Sequence, residues 1–572
     1  MATNIVFKEY SLVEEAHRIF SLLCDHSVEL NIPAAAGKHK ETVCFDLTHN
    51  QIYYPIPLKV TETLAALKGV EGVVAAALAD IRFGPSQERK VRVNLERATV
   101  FGFQALIAKM DNMSKACPEV KAKLKNTDIH AAQSSLYRRL AANLYRTKVK
   151  EEFFHLHGSL NPTSTLNMIG LDGHRSDVQD YEEIIELIER HVQQYTAQEL
   201  EEMNRDRGQA GVTAYRYEDF IQSPHGIEIS QQPCWTVSPF GTDLPPTPFP
   251  TNRSLKVLEG IKVLELTCVI AGPSIGRILA EYGAEVLRIT GPKTPDVPFF
   301  QIDGNMGKHV ADLDLKTEKG RAHFTALLAD ADVFIDGYRK GVIERLGYGA
   351  SLLASIAETR GKGIIYVDET CFGHVGDWAG RPGWQQIADC VTGLAWIQGD
   401  FMARDTPIVS PLPIADHGAG CMGAITALIG LYHRAQSGGS YHGKVSLVQF
   451  NLLLLGLGQY PDHIQAAMRD SLPPQFFDLR YCDNVEKSSS IALSIIQSKF
   501  QEGSALMGKV PGPAVLTEKW YSHSYKAEIE VARPVVDIED VESGFVRASR
   551  PNGTDKPCWA GNGMLNLDYK IE

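Results

Sequence analysis

The chain lacks the marks of several protein classes. Its 572 residues contain no low-complexity tract and no apolar run near the about 18 residues of a membrane span; the run at 452–457 is far too short. Ten cysteines are scattered without one CxxC pair, so they read as buried thiols of a reducing compartment and not as disulfides or a zinc framework. Positive charge is not in excess. The formal net charge of −12 argues against non-specific nucleic-acid binding, though a local basic pocket for an anionic ligand remains open. The opening residues lack the charged-then-apolar pattern of a signal peptide, and the closing Lys-Ile-Glu is not a peroxisomal tripeptide, so a cytoplasmic location is expected. What remains, with 44% hydrophobic and 22% charged residues, is the composition of a globular enzyme, long enough for more than one domain.

The pattern predicts an α/β fold: a Rossmann-like parallel-sheet large domain, a smaller α+β domain, and a partial internal duplication. Residues 1–145 read as mainly helical apart from a strand near 90–95, and 146–232 as a compact acidic small domain. Within the latter, 181–190 alternates apolar and acidic residues at helical spacing. The prolines of 233–254 predict an extended linker. From 255 to 475 strands alternate with helices, starting with the apolar Lys262–Leu266, which predicts a parallel sheet with right-handed crossovers. The first turn after that strand, Ala271-Gly-Pro-Ser-Ile-Gly276, is not G-x-G-x-x-G, so a nicotinamide cofactor is not indicated. Residues 476–572 read as an irregular segment with strand-like returns.

Two stretches echo each other. The apolar helix starting at Gly72 answers the one starting at Gly423, and each is followed by a turn and an alternating strand. Proline-bracketed runs precede them, Pro55–Val60 and Pro411–Asp416, and the second ends in an aspartate where the first has Val60. A half-copy that lost its carboxylate beside a copy that kept it nominates Asp416.

The segments 258–273, Leu313–Gly320, Ala331–Gly341, Glu344–Gly347, Phe372–Gly383 and Pro413-Ile-Ala-Asp-His-Gly418 together resemble the class III coenzyme A transferases, in that family's order. The likeness covers most of 255–460 and, more loosely, 50–240, where Phe153–Leu160 resembles the start of the family's small domain. The resemblance implies a Rossmann-type large domain, a homodimer, and transfer of coenzyme A between an acyl-CoA and a free carboxylic acid. Coenzyme A is then a substrate, with no tightly bound cofactor, no nucleic acid and no membrane.

By the same resemblance Asp416 holds the place of a carboxylate nucleophile, which attacks a thioester to give a mixed anhydride. A helix starting just beyond it is expected to keep it ionised, and Gly418 and Gly420 to leave room for substrate. A plain N-cap role for Asp416 stays open. His417 reads as a supporting residue. The phosphate-bearing end of coenzyme A needs cations, and the matching positions are Arg288, Lys308, His309, Arg339 and Arg345, each of which reads equally as a solvated surface charge. Ile270 stands where the family often has Gln, and Trp384 where it often has Tyr, which implies an acyl group larger or more apolar than formate or oxalate. His155 and His157 face the same way on a strand, but without a third ligand no metal site is expected. Two other readings remain: a 2-methylacyl-CoA racemase, disfavoured because indole at Trp384 cannot accept a proton, and a non-catalytic CoA-binding protein.

Overall fold

In the N-terminal segment, helix α1 (Leu12–Asp25) is capped by Ser11, whose hydroxyl accepts from Glu14 N, and buries Leu12, Ala16, Ile19, Phe20 and Leu23. That spacing is one helical stripe, and it rests on α2 (Val60–Phe83), which is apolar on every side and buried over most of its length. Strand β1 (Val43–Asp46) pairs in parallel with β2 (Val91–Asn94), and α3 (Leu95–Phe101) follows at once, with the Asn94 side chain accepting from Arg97 N. The segment is thus less purely helical than its composition predicts. A computed structural model describes residues 10–86, 89–251, 254–507, 516–560 and 568–571, without the side chains of 502–507. Residues 1–9, whose pattern is read for targeting, 252–253 of the linker, and 508–515, 561–567 and 572 of the C-terminal segment lie outside it.

The small sheet follows: β3 (Ala142–Arg146), β4 (Phe153–His157) and β5 (Val212–Thr213), antiparallel throughout. It has its own core, where Tyr145, Phe154 and Leu156 meet Ile184 and Ile188 of the predicted amphipathic helix Tyr181–Val192.

The proline-rich stretch is not only a linker. Its residues Thr236–Phe240 form β6, the antiparallel edge strand of the large sheet, with Pro239 opposite Tyr441. Proline has no N–H to donate, and an edge strand tolerates that. The rest of the sheet is parallel: β7 (Lys262–Leu266), β8 (Glu285–Thr290), β9 (His309–Asp312), β10 (Val333–Asp336), β11 (Ile365–Thr370) and β12 (Ser440–Ser446). Between β7 and β8 runs α4 (Ala271–Glu281); before β12 runs α5 (Ile414–Gln436), and α6 (Leu447–Gly456) follows it. Spatial order is β9-β8-β7-β10-β11-β12-β6. The parallel strands therefore follow the doubly wound order, which reverses between β7 and β10 and opens a crevice at their C-terminal ends. Among the described residues α5 alone is long and apolar enough to cross a bilayer, but α2 and α4 pack along it and nearly all of it is buried.

The C-terminal segment opens with a long helix, α7 (Val485–Met507), where an irregular segment is predicted. Its strands β13 (Thr517–Ser522) and β14 (Ala527–Ala532) form a hairpin on Lys109–Met110, and β15 (Val536–Ile538) completes the order β1-β2-β15. The end of the chain thus belongs with its beginning, a pairing too distant in sequence for periodicity to show.

Helices α2 and α5 start alike. Val60 N bonds to Leu58 O at 2.8 Å and Ile414 N to Leu412 O at 2.9 Å. Their cap residues have nearly the same backbone, Lys59 at φ −76°, ψ 60° and Pro413 at φ −81°, ψ 54°. Counting from the caps registers Glu62, not Val60, with Asp416, and Gly69, not Gly72, with Gly423. Each glycine admits the neighbouring helix: an added Cβ would lie 2.9 Å from the Phe20 ring of α1 in the first case and 2.5 Å from Ile275 of α4 in the second.

Candidate active site

Asp416 is the third residue of α5, so it is not the N-cap; Pro413 is, and no side chain caps the helix. Its neighbours Ala415 and His417 are buried, while Asp416 keeps partial exposure, lines two cavities and has no hydrogen-bond partner among the described residues. The positive helix end favours its charge, yet burial wins and pushes the carboxyl up to about 7, against the expectation of a firmly ionised group.

The larger cavity, about 490 Å³, lies in the crevice between β7 and β10. Its walls come from the turns after those strands, with Cys268, Val269 and Ile270 on one side and Gly337, Tyr338, Arg339 and Lys340 on the other. Arg339 is exposed and has no partner among the described residues, whereas Lys340 donates to His374 O at 2.8 Å. Arg381 adds a third cation, held by Glu201 at 2.5 Å and lying 5.1 Å from the Trp378 ring centre. Glu369, at the end of β11, is buried in the same wall and has no hydrogen-bond or ion-pair partner among the described residues. Burial first, and then the Asp416 charge, pushes it up to about 8. Burial also raises the Cys268 thiol to about 12 and Cys371 well above its ordinary value, so neither is a ready thiolate.

The smaller cavity, about 130 Å³, shares Ser159, Leu160, Val269, Ile270, Trp384 and Asp416 with the larger one and continues toward Arg139, Phe300 and Ser489. Trp384 stands where they meet: its indole donates to Ser159 Oγ at 3.0 Å and its ring stacks on His157, with centres 5.5 Å apart. His157 in turn stacks on His155, and burial pushes both imidazoles down, to about 4 for His155. Among the described residues no cluster of His, Cys, Asp or Glu is arranged to hold a metal.

Several predicted residues lie elsewhere. Arg288 is buried, with its guanidinium on Asn305 Oδ1 (2.6 Å), Asp296 Oδ2 (3.0 Å), Glu265 Oε1 (3.4 Å) and the Thr267 carbonyl (3.2 Å). It does not line either cavity; it positions Asp296, which accepts from Val269 N at 3.1 Å and Val297 N at 2.8 Å. That support matters because Val269, β-branched, sits at φ 64°, a conformation costing about 1–3 kcal/mol. Lys308 is fully buried on Glu265 Oε2 and Pro273 O, both at 2.7 Å, and burial depresses it to about 8. His309 is buried beside Asp555, 3.6 Å away, and Arg345 is exposed off both cavities. His417 is buried 3.2 Å from Ser274 Oγ and pushed down by burial to about 3, so it is a neutral packing residue. Gly418 and Gly420 leave room for packing, not substrate: an added Cβ would strike the Phe450 ring in the first case and Ser274 Cβ in the second. Nor are all the thiols buried, since Cys44 is exposed.

Glu369, Arg381, Lys340 and Arg139 escape the sequence reading. The signal for Glu369 was present, a carboxylate at the end of an apolar strand in a parallel sheet. Arg139 carries no such signal.

The profile of "CoA-transferase family III" matches residues 258–470. An "Acetyl-coenzyme A transferase nodX" of Hypoxylon pulicicidum is 31% identical over 88% of this chain and 86% of its own length. An "Acyl-CoA transferase" of Gibberella moniliformis is 33% identical over 70% of this chain and 71% of its own. The crystal structure of Rv3272 from Mycobacterium tuberculosis aligns with 53% of this chain and 98% of that one, at 20% identity and a TM-score of 0.38.

Proposed function

This chain belongs to CoA-transferase family III, and from that premise we propose that it moves coenzyme A from an acyl-CoA thioester to a free carboxylic acid with Asp416 as nucleophile. An Asp416 oxygen attacks the thioester carbonyl; the C–S bond breaks, coenzyme A leaves as thiolate, and a mixed anhydride remains. The thiolate attacks the aspartyl carbonyl, expelling the donor acid as its carboxylate and leaving an aspartyl thioester. The acceptor carboxylate then attacks that carbonyl, the thiolate departs, and its return to the new anhydride forms the product thioester and regenerates the Asp416 carboxylate. Each step conserves the activation of the first thioester provided water stays out.

The observation that carries the reading is the position of Asp416, a carboxyl without a partner among the described residues and opening on both cavities. The larger cavity suits coenzyme A, since Arg339, Lys340 and Arg381 supply charge for phosphates at the mouth of a doubly wound sheet. The smaller suits the acid. Trp384 closes the junction and limits the access of water. On this reading coenzyme A passes through as substrate and no tightly held cofactor is needed. The chain acts as a homodimer, an assembly supported by family resemblance. Ten cysteines free of disulfides support a reducing, cytoplasmic setting. The matched starts of α2 and α5 support a partial duplication of the large domain.

The test is incubation of the purified chain with acyl-CoA and free acids. Coenzyme A is expected to pass between acids in the native protein and not in Asp416→Ala. Turnover unchanged in that variant contradicts the mechanism.

A further inference from the structure

Arg138 and Arg139 are adjacent and differently employed. Arg138 holds its own loop in place, donating to His130 O at 2.8 Å, Thr163 Oγ1 at 3.1 Å and Asn161 Oδ1 at 3.0 Å. Asp128 fixes the start of the same loop by accepting the backbone N–H groups of Ala132, Gln133 and Ser134 at 2.7, 3.0 and 2.8 Å. Arg139, on the short helix Leu136–Arg139, instead lines the smaller cavity that Asp416 opens into. Its side chain makes no hydrogen bond or ion pair among the described residues. Glu486 and Asp128 lie near enough to favour its charge and Lys115 is a neighbouring cation, but none is within ion-pair distance. Burial works against the guanidinium and lowers its pKa, yet a guanidinium stays charged. A fixed cation in a cavity, short of partners and held by a pinned loop, is complementary to an anion, and its forked N–H groups match a carboxylate.

We propose that the smaller cavity holds the acid undergoing transfer and that Arg139, on the same cavity as Asp416, binds a second carboxylate, so that the preferred substrates are short dicarboxylic acids. The proposal rests on the transferase reading and deepens it. The reacting carboxylate would sit at Asp416 and the second at Arg139, and the same lining includes the apolar Leu106 and Phe300. Size points the same way: at about 130 Å³, against about 490 Å³ for the larger cavity, this one suits a short acid better than a long chain.

The experiment offers the full chain succinyl-CoA or butyryl-CoA with acceptors of equal length, succinate against butyrate and glutarate against valerate. The expected kcat/KM for each dicarboxylate exceeds that for its partner about ten-fold or more, and the ratio falls toward one in Arg139→Ala. Arg139→Lys, which keeps the charge without the fork, retains part of the ratio and decides the matter where the alanine variant does not fold. A ratio near or below one in the native protein, or one that Arg139→Ala leaves unchanged, overturns the dicarboxylate inference and leaves the transferase reading standing. No transfer between any pair overturns the transferase reading, and the inference with it.

Discussion

Glu62 and Asp416 occupy the same position, third in the matched helices α2 and α5, but Glu62 is clamped by the hydroxyls of Tyr10 (2.9 Å) and Tyr460 (3.0 Å) while Asp416 has no hydrogen-bond partner among the described residues. Glu62 is fully buried and lines neither cavity around Asp416. The two carboxyls share a backbone setting and a burial-raised pKa of about 7, so what separates them is access.

One reactive carboxylate per chain is therefore expected. Glu62→Leu should leave the specific transfer activity of the folded protein intact while orphaning the buried Tyr460 hydroxyl, at a cost of about 1–3 kcal/mol. Denaturant melts and turnover of the same preparation check both halves.

The pH dependence follows from the cavity carboxyls. Asp416 must be ionised to attack, and burial pushes it up to about 7, so kcat/KM should rise with pH until about 7. Glu369 is pushed up to about 8 by burial and by the Asp416 charge; above that it ionises and sets a second negative charge against the incoming acid, so the rate should fall. The two limbs belong to the pair. Glu369→Gln should remove the alkaline limb and keep the acid one, which a pH–rate profile of the variant measures.

Stability has its own acid-sensitive point. Asp332 is buried between Arg434 at 2.8 Å and Lys362 at 2.6 Å. Burial works against its charge, but the two cations outweigh it and hold the carboxyl down to about 2. A depressed carboxyl stabilises the fold above its unfolded value near 3.8, and that contribution is lost as pH falls through about 2. Asp332→Asn leaves the Arg434 charge buried without its counter-ion and should cost about 3–5 kcal/mol. Urea melts at neutral pH and at pH near 3 should show the gap between the two proteins narrowing.

Gly418→Ala separates helix packing from substrate room. Its Cβ would strike the Phe450 ring, so a stability loss of about 1–3 kcal/mol is expected, with partial recovery in the double variant Gly418→Ala/Phe450→Leu. A stable Gly418→Ala protein with only its KM altered would favour substrate contact.

The parallel sheet was legible because its strands are short apolar runs in regular alternation with helices, as at Lys262–Leu266 and Val333–Asp336. Asp416 is nominated by its contrast with Val60 in the half-copy and by the family motif; the structure opens it on both cavities but pairs it in register with Glu62 instead. Of the five predicted cations Arg339 lines the larger cavity; Arg288, Lys308, His309 and Arg345 do not, because a basic residue near a strand end reads alike whether it meets a ligand or a carboxylate. Glu265 decides here: a carboxylate within the buried strand β7 needs partners, and it takes both Arg288 and Lys308. Arg139 was hidden for a different reason. The chain closes its loop over Asp416 from far away in sequence, and no local pattern records that approach.

The central claim, that Asp416 carries the acyl group and then coenzyme A, is tested most directly by mass spectrometry of the protein quenched during turnover with acyl-CoA. An acyl or coenzyme A adduct on the peptide containing Asp416, absent in Asp416→Asn, is the predicted result. Turnover without any adduct there, or an adduct on another residue that persists in the variant, would contradict it.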